Sequence, residues 1–171
     1  MNALGGPAIA SAILLAIGGA SKVMRPANTS HALRGLGLPA APVGVRLLAI
    51  AEIGVAVGAL AWGGRYAWML VGGAYLGFAG FVVLAMSRGG AVSSCGCFGA
   101  PDTPPTLVHV LVTVSASALA FATAAGHPPG PLLGALADMP LLGLPFLLVT
   151  GCCVWFAYAA VAVLPKTARL R

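Results

Sequence analysis

Two cysteines one residue apart, in Cys95-Gly96-Cys97-Phe98-Gly99, are the obvious place to look for chemistry in a chain with only 9 Lys and Arg and 3 Asp and Glu. A dithiol can close to a disulfide, attack the disulfide of another protein, or hold a soft metal, and each needs two sulfurs close together. Spacing of one residue supplies that proximity. A disulfide asks for Cα atoms about 4.4 to 6.8 Å apart, so an i, i+2 ring requires a tight turn, which Gly96 permits because it has no Cβ. A ring this small is expected to be strained and readily reduced, suited to exchange more than to stapling. The plainer alternative is a pair of free cysteines in a loop.

A few other side chains join them as candidates. Glu52 falls in the middle of an apolar stretch, where a charge is costly enough to need a reason. It is either a proton partner for thiol exchange or a packing residue, held by a hydrogen bond or by Lys22 reaching inward. Cys152 and Cys153 form a vicinal pair in the last apolar stretch. They are either small packing residues or a second thiol station halfway across a membrane. His109 lies twelve residues beyond Cys97, within reach to tune the thiols if the connection folds back; the alternative is a capping or packing histidine. Thr106 is a candidate helix cap, and Asp102 and Thr103 mark a loop-to-helix entry. His31, His127 and Asp138 are assigned to loops without metal-type spacing. No Ser-His-Asp set, phosphate loop or zinc-type Cys/His spacing is present.

The elements that must position these residues follow from composition. With 60% hydrophobic residues, 7% charged and a mean hydropathy of +1.00, the chain reads as an integral membrane protein. Five apolar runs are long enough to span: Leu4–Val23, Val43–Gly63, Tyr66–Met86, Thr106–Ala125 and Leu141–Leu164. They lack the alternation of barrel strands, so each is expected to be a helix whose backbone is satisfied internally. The predicted fold is therefore all-α, a polytopic transmembrane helical bundle forming one integral membrane domain over residues 1–171. The first run lacks a basic leader and a small-residue cleavage site, which predicts a retained helix. Gly54 with Gly58, and Gly73 with Gly77, have the spacing of close helix contacts and are expected to pack within the bundle. Pro145 should kink the fifth helix, and Pro128-Pro129-Gly130-Pro131 should connect it to the fourth.

Charge orients this bundle. Lys22, Arg25, Arg34 and Arg46 lie in or beside the first connection, Arg88 opens the third, and Lys166, Arg169 and Arg171 close the chain. Only Arg65 falls on the opposite face, so the positive-inside rule predicts an inner or plasma membrane protein with its N-terminus outside and its C-terminus cytoplasmic. The net charge of +6 is then a topology signal and an attraction to lipid headgroups, with no nucleic-acid partner implied. Cys95 and Cys97 fall on the cytoplasmic side, where thiols are kept reduced. That suits a carrier of reducing equivalents or metal across the membrane better than a simple oxidase on the far side.

The chain resembles the methylamine utilization protein MauE family, related to DoxX-like small membrane proteins. Three islands carry the likeness: Gly19-Ala20-Ser21-Lys22 with Pro26, Glu52 followed by Gly58, and Cys95-Gly96-Cys97-Phe98-Gly99. The resemblance covers residues 5–125 and implies a four-helix DoxX-like core, to which the run at 141–164 adds a C-terminal helix. It also implies a role in redox maturation of exported proteins alongside thioredoxin-like partners and, in methylamine metabolism, assembly of a disulfide-rich dehydrogenase subunit. One departure is His109-Val110, where the family pattern has Arg-Asn.

The leading reading is a membrane thiol–disulfide relay or disulfide-maturation factor. Cys95 and Cys97 would be the catalytic pair, Glu52 the candidate proton partner, Cys152 or Cys153 the second station, and His109 and Lys22 candidates for thiol tuning or ion pairing. Its partners would be a thioredoxin-like protein or an exported disulfide-containing protein, within a lipid bilayer. Phe98, Trp155, Phe156 and Tyr158 make a quinone conceivable as electron acceptor, although such aromatics also serve as packing or interfacial anchors. The alternative of a different class is a transporter of mercuric or cuprous ion, with Cys95, Cys97, Cys152 and Cys153 as thiolate ligands. A third reading is a scaffold whose thiols are incidental.

Overall fold

The computed structural model describes residues 5–88, 105–126, 128–137 and 140–162. Among them are seven helices: α1 (Gly5–Met24), α2 (Pro26–Gly35), α3 (Pro42–Ala61), α4 (Arg65–Ser87), α5 (Leu107–Ala125), α6 (Leu132–Ala137) and α7 (Pro140–Ala162). Five of these, α1, α3, α4, α5 and α7, contain stretches long and apolar enough to cross a membrane, in line with the five runs. Cys95, Cys97, Asp102, Thr103, His127, Asp138, Lys166, Arg169 and Arg171 lie outside the described residues.

The boundaries have local causes. Pro26 and Pro42 open α2 and α3 near the first helical position, where the missing N–H is no loss and φ is already helical. Between α3 and α4 the chain reverses through Gly63 and Gly64, both at positive φ (67° and 87°), a conformation glycine adopts without steric cost. A Cβ at Gly63 would collide with the Pro129 carbonyl, so this turn is seated against the connector that follows α5. At the same end Arg65 Nε donates to the Ala124 carbonyl at 3.2 Å, tying the start of α4 to the end of α5.

Within the bundle, α4 packs along α5 and α1 along α3. Of the spanning helices α1 is the most enclosed, 56% buried over its span, and it also touches α5 and α7. The core is built from small residues, Ala8, Ala12, Ala56, Ala59, Ala116, Ala120 and Ala124, around Trp68 and Tyr75. Between lipid-embedded helices there is little hydrophobic drive, so close van der Waals packing of small residues holds them. Ser117 Oγ adds a hydrogen bond across the α4–α5 seam, donating to the Gly72 carbonyl at 2.9 Å.

Three expectations change. The first connection is not all loop: α2 occupies it, placing His31 on a helix, and Ala32 and Leu36 cover Ala85 at the end of α4. Pro26 starts this helix and one apolar side of it finds a surface, which outweighs its low hydropathy. Nor do the glycines at Gly54, Gly58, Gly73 and Gly77 pack within the bundle. Among the described residues, a Cβ at Gly54, Gly73 or Gly77 would meet nothing within 4 Å, and at Gly58 only Trp62 of the same helix. The close contacts belong instead to Gly19, whose Cβ would lie 2.8 Å from Ile53 and 2.9 Å from the Ala49 carbonyl, and to Gly72 against the Phe121 ring at 3.0 Å. Finally, Thr106 takes the N-cap position of α5 without a side-chain capping bond, because its hydroxyl faces His109 Nδ1 at 2.8 Å.

Candidate functional site

The site grows out of the close approach of α1 and α3 at Gly19. Side chains on a helix lean toward its N-terminus. Lys22, in the last turn of α1, therefore leans back along α1, and Glu52, midway along antiparallel α3, leans the opposite way. The two meet: Lys22 Nζ lies 2.8 Å from Glu52 Oε1 and 2.6 Å from Oε2. Both residues are buried, 3% and 4% exposed. An isolated charge at such a depth is expensive, and a two-oxygen contact with a cation is what makes it tolerable.

From α4, two aromatic side chains complete the surroundings. Lys22 Nζ sits 4.2 Å from the centre of the Phe78 ring, so the ring's electron-rich face offsets part of the lost hydration of the ammonium. Tyr75, one turn earlier, meets Phe78 edge-on with ring centres 5.9 Å apart. Its hydroxyl donates to the Ser11 carbonyl of α1 at 2.7 Å. Three spanning helices are thus joined by polar contacts in an otherwise apolar interior.

His109, from the first turn of α5, borders the same region. It is 2% exposed, with Nδ1 against Thr106 and its carbonyl accepting from Thr113 Oγ1 at 2.7 Å. Lys22, Tyr75, Phe78, His109 and Thr113 lie, together with Leu14, Leu15, Gly18, Val82 and Val112, around one small and mainly apolar pocket. The structure therefore brings Lys22, Glu52 and His109 into one neighbourhood. Cys152 and Cys153 are apart from it, exposed on α7, with Cys153 on the wall of an open groove of about 340 Å³ between α1, α5 and α7. Among the described residues no three His, Cys, Asp or Glu side chains come together to hold a metal.

Tyr75 and Phe78 were not singled out from the sequence. A signal was available for Tyr75, since a phenol in the middle of a spanning run needs a buried hydrogen-bond partner. Nothing in the spacing of Phe78 separates it from an ordinary packing aromatic.

Fold and site together define a multi-pass helical membrane protein with a buried acid–base pair between its first two spanning helices. The chain belongs to the MauE family: the family model described as Methylamine utilisation protein MauE matches residues 3–127, a stretch that takes in α1 to α5. No protein of curated function and no solved structure matches the chain.

Proposed function

We propose that this protein is a membrane thiol–disulfide relay or disulfide-maturation factor for exported proteins, with Cys95 and Cys97 as the exchange pair and Glu52 as its proton partner. The observation that carries the reading is the Lys22–Glu52 pair: a titratable carboxylate kept in the interior of a spanning bundle, in a family named for methylamine utilisation. The segment holding the two thiols joins the end of α4 to the start of α5. In exchange, one thiolate attacks a partner disulfide, forming a mixed disulfide and releasing a partner thiolate. The second cysteine then displaces the partner as a dithiol and closes the Cys95–Cys97 disulfide, moving two electrons to the partner. Run in reverse, the same steps install a disulfide in the partner. A thioredoxin-like protein or an exported disulfide-rich subunit, as in methylamine metabolism, is the proposed counterpart.

The orientation belongs to the same proposal: N-terminus outside, C-terminus cytoplasmic. Arg25, Arg34, Arg46 and Arg88 support it, all in or beside the connections at one end of the bundle, with Arg65 at the other. Lys22 adds little, because Glu52 neutralises it within the bundle.

Trapping in intact cells tests the relay. Cys97→Ser and Cys95→Ser variants are quenched in acid, alkylated and run on non-reducing gels with mass spectrometry. One of the single variants should accumulate a mixed disulfide with a defined protein, and that adduct should vanish in the double Cys95→Ser/Cys97→Ser variant. Absence of any adduct, with thiol-dependent accumulation of mercuric or cuprous ion by the wild type, would replace the relay with the metal transporter.

A further inference from the structure

Helix α2 closes one end of the bundle. It packs against α1 and α3, and its Ala32 and Leu36 meet Ala85 in the last turn of α4. Pro26, Thr29, Ser30 and Ala32 are buried on its inner side. Ala27, His31 and Arg34, spaced i, i+4 and i+7 and so sharing one helical face, are exposed. Between Met24 and Leu38 no large apolar side chain is exposed. A helix that rests in a lipid interface needs Leu, Phe or Trp on the face it buries there, so the outer face of α2 is built for water.

That face is also basic. Arg25 stands at the start of α2 and Arg34 near its end, about 14 Å apart along the axis at 1.5 Å per residue. Arg88 lies one turn beyond Ala85, where α4 ends. All three are exposed, and among the described residues none joins an ion pair. The sequence holds 3 acidic side chains. Glu52 is taken by Lys22, Asp138 belongs to the connection before α7, and only Asp102 falls in a connection at this end. Arg46 differs, because it stands among Val43, Leu47 and Leu48, all exposed, on the lipid side of α3, where headgroups are its counter-ions.

We propose that the outer face of α2, with Arg25, Arg34 and Arg88, is a docking surface for an acidic face of a water-soluble protein. Charge complementarity carries the choice of partner: three guanidiniums share one carboxylate of their own chain, and with no exposed apolar anchor the encounter and register depend on carboxylates across the interface. The thiol-exchange reading enters only in identifying that protein as the exchange partner. Cys95 follows Arg88 by seven residues, a reach of at most about 25 Å at about 3.6 Å per residue. A domain about 30 Å across, seated on α2, therefore lies within range of the dithiol.

The test introduces a photoreactive group into the full chain, as His31→benzoylphenylalanine or Leu47→benzoylphenylalanine, and irradiates intact cells. Position 31 should capture a protein through a peptide rich in Asp and Glu, and position 47 should capture lipid. Adding Arg34→Gln and Arg88→Gln should cut the protein adduct at least about tenfold, the scale of electrostatic steering. The lipid adduct at position 47 should survive that double change, which reports that the chain still inserts, and Arg46→Gln should reduce neither adduct. Lipid alone at position 31, no adduct there, or a protein adduct indifferent to Arg34→Gln and Arg88→Gln would overturn the docking surface. In a Cys95→Ser/Cys97→Ser chain the position 31 adduct should persist. Its presence in cells that yield no mixed disulfide would remove the relay and keep the surface, and a mixed disulfide with no protein captured at position 31 would do the reverse.

Discussion

Helices α1 and α7 are both apolar and long enough to span, yet 56% of the α1 span is buried and only 11% of the α7 span. The difference comes from a few residues. Gly19 lets α3 approach until a Cβ would not fit, the Ser11 carbonyl receives Tyr75, and Lys22 pairs inward with Glu52 of α3. Over the same span α7 offers Leu144, Leu147, Leu148, Trp155 and Phe156 outward, and its two cysteines form no disulfide. Hydropathy says that a helix enters the membrane. Glycine and charge decide whether it goes to the middle.

The strongest challenge to this contrast is to remove one member of the ion pair. Lys22→Met or Glu52→Leu alone should cost about 3–5 kcal/mol, because a buried charge is left without its partner, whereas the double variant should recover most of that loss. Unfolding titrations in micelles, arranged as a double-mutant cycle, measure this. Two single variants as stable as the wild type would remove the pair's claim to hold α1 in place. The next test compares glycines. Gly19→Ala should cost about 1–3 kcal/mol by forcing α1 and α3 apart, while Gly54→Ala, on an open face, should stay within about 0.5 kcal/mol. If Gly54 proves the more sensitive, its face is covered in the membrane.

Smaller effects sharpen the same line. Tyr75→Phe should cost about 0.5–1.5 kcal/mol, the net worth of one hydrogen bond to the α1 backbone. Replacing Cys152 and Cys153 together with alanine should change stability by no more than about 0.5 kcal/mol and leave the mixed-disulfide adduct intact. Loss of the adduct in that variant would instead make α7 part of the thiol route.

Much of this architecture was legible in the sequence because the bilayer leaves few options. A run of about twenty apolar residues without strand alternation must be a helix. The Lys22–Glu52 contact was within reach for a similar reason, since charges inside the membrane seek each other. The glycine stripes misled because a small-xxx-small spacing marks a face that could accept a helix without saying which helix is there. Gly54 and Gly73 share that spacing with nothing opposite among the described residues, while Gly19 makes the tight contact inside a stretch that stood out only by family likeness. Helix α2 escaped notice because Pro-Ala-Asn-Thr-Ser-His reads as a polar connection, whereas in the fold it packs against α3 and α1 and meets the α4 end through Ala32 and Leu36.

The sequence positions of Lys22 and Glu52 also set an order of assembly. Chains emerge N-terminus first, so α1 (Gly5–Met24) reaches the membrane while α3 (Pro42–Ala61) is still within the ribosome. Lys22, two residues from the end of α1, can then extend its ammonium to the headgroups by snorkelling. Glu52 lies midway along α3, too deep for its shorter side chain to do the same. When α3 arrives, the waiting lysine is drawn inward to receive it. Membrane integration of the second spanning segment is thus coupled to the first, and a released chain truncated before α3 should leave Lys22 open to water-soluble amine reagents that the finished protein excludes.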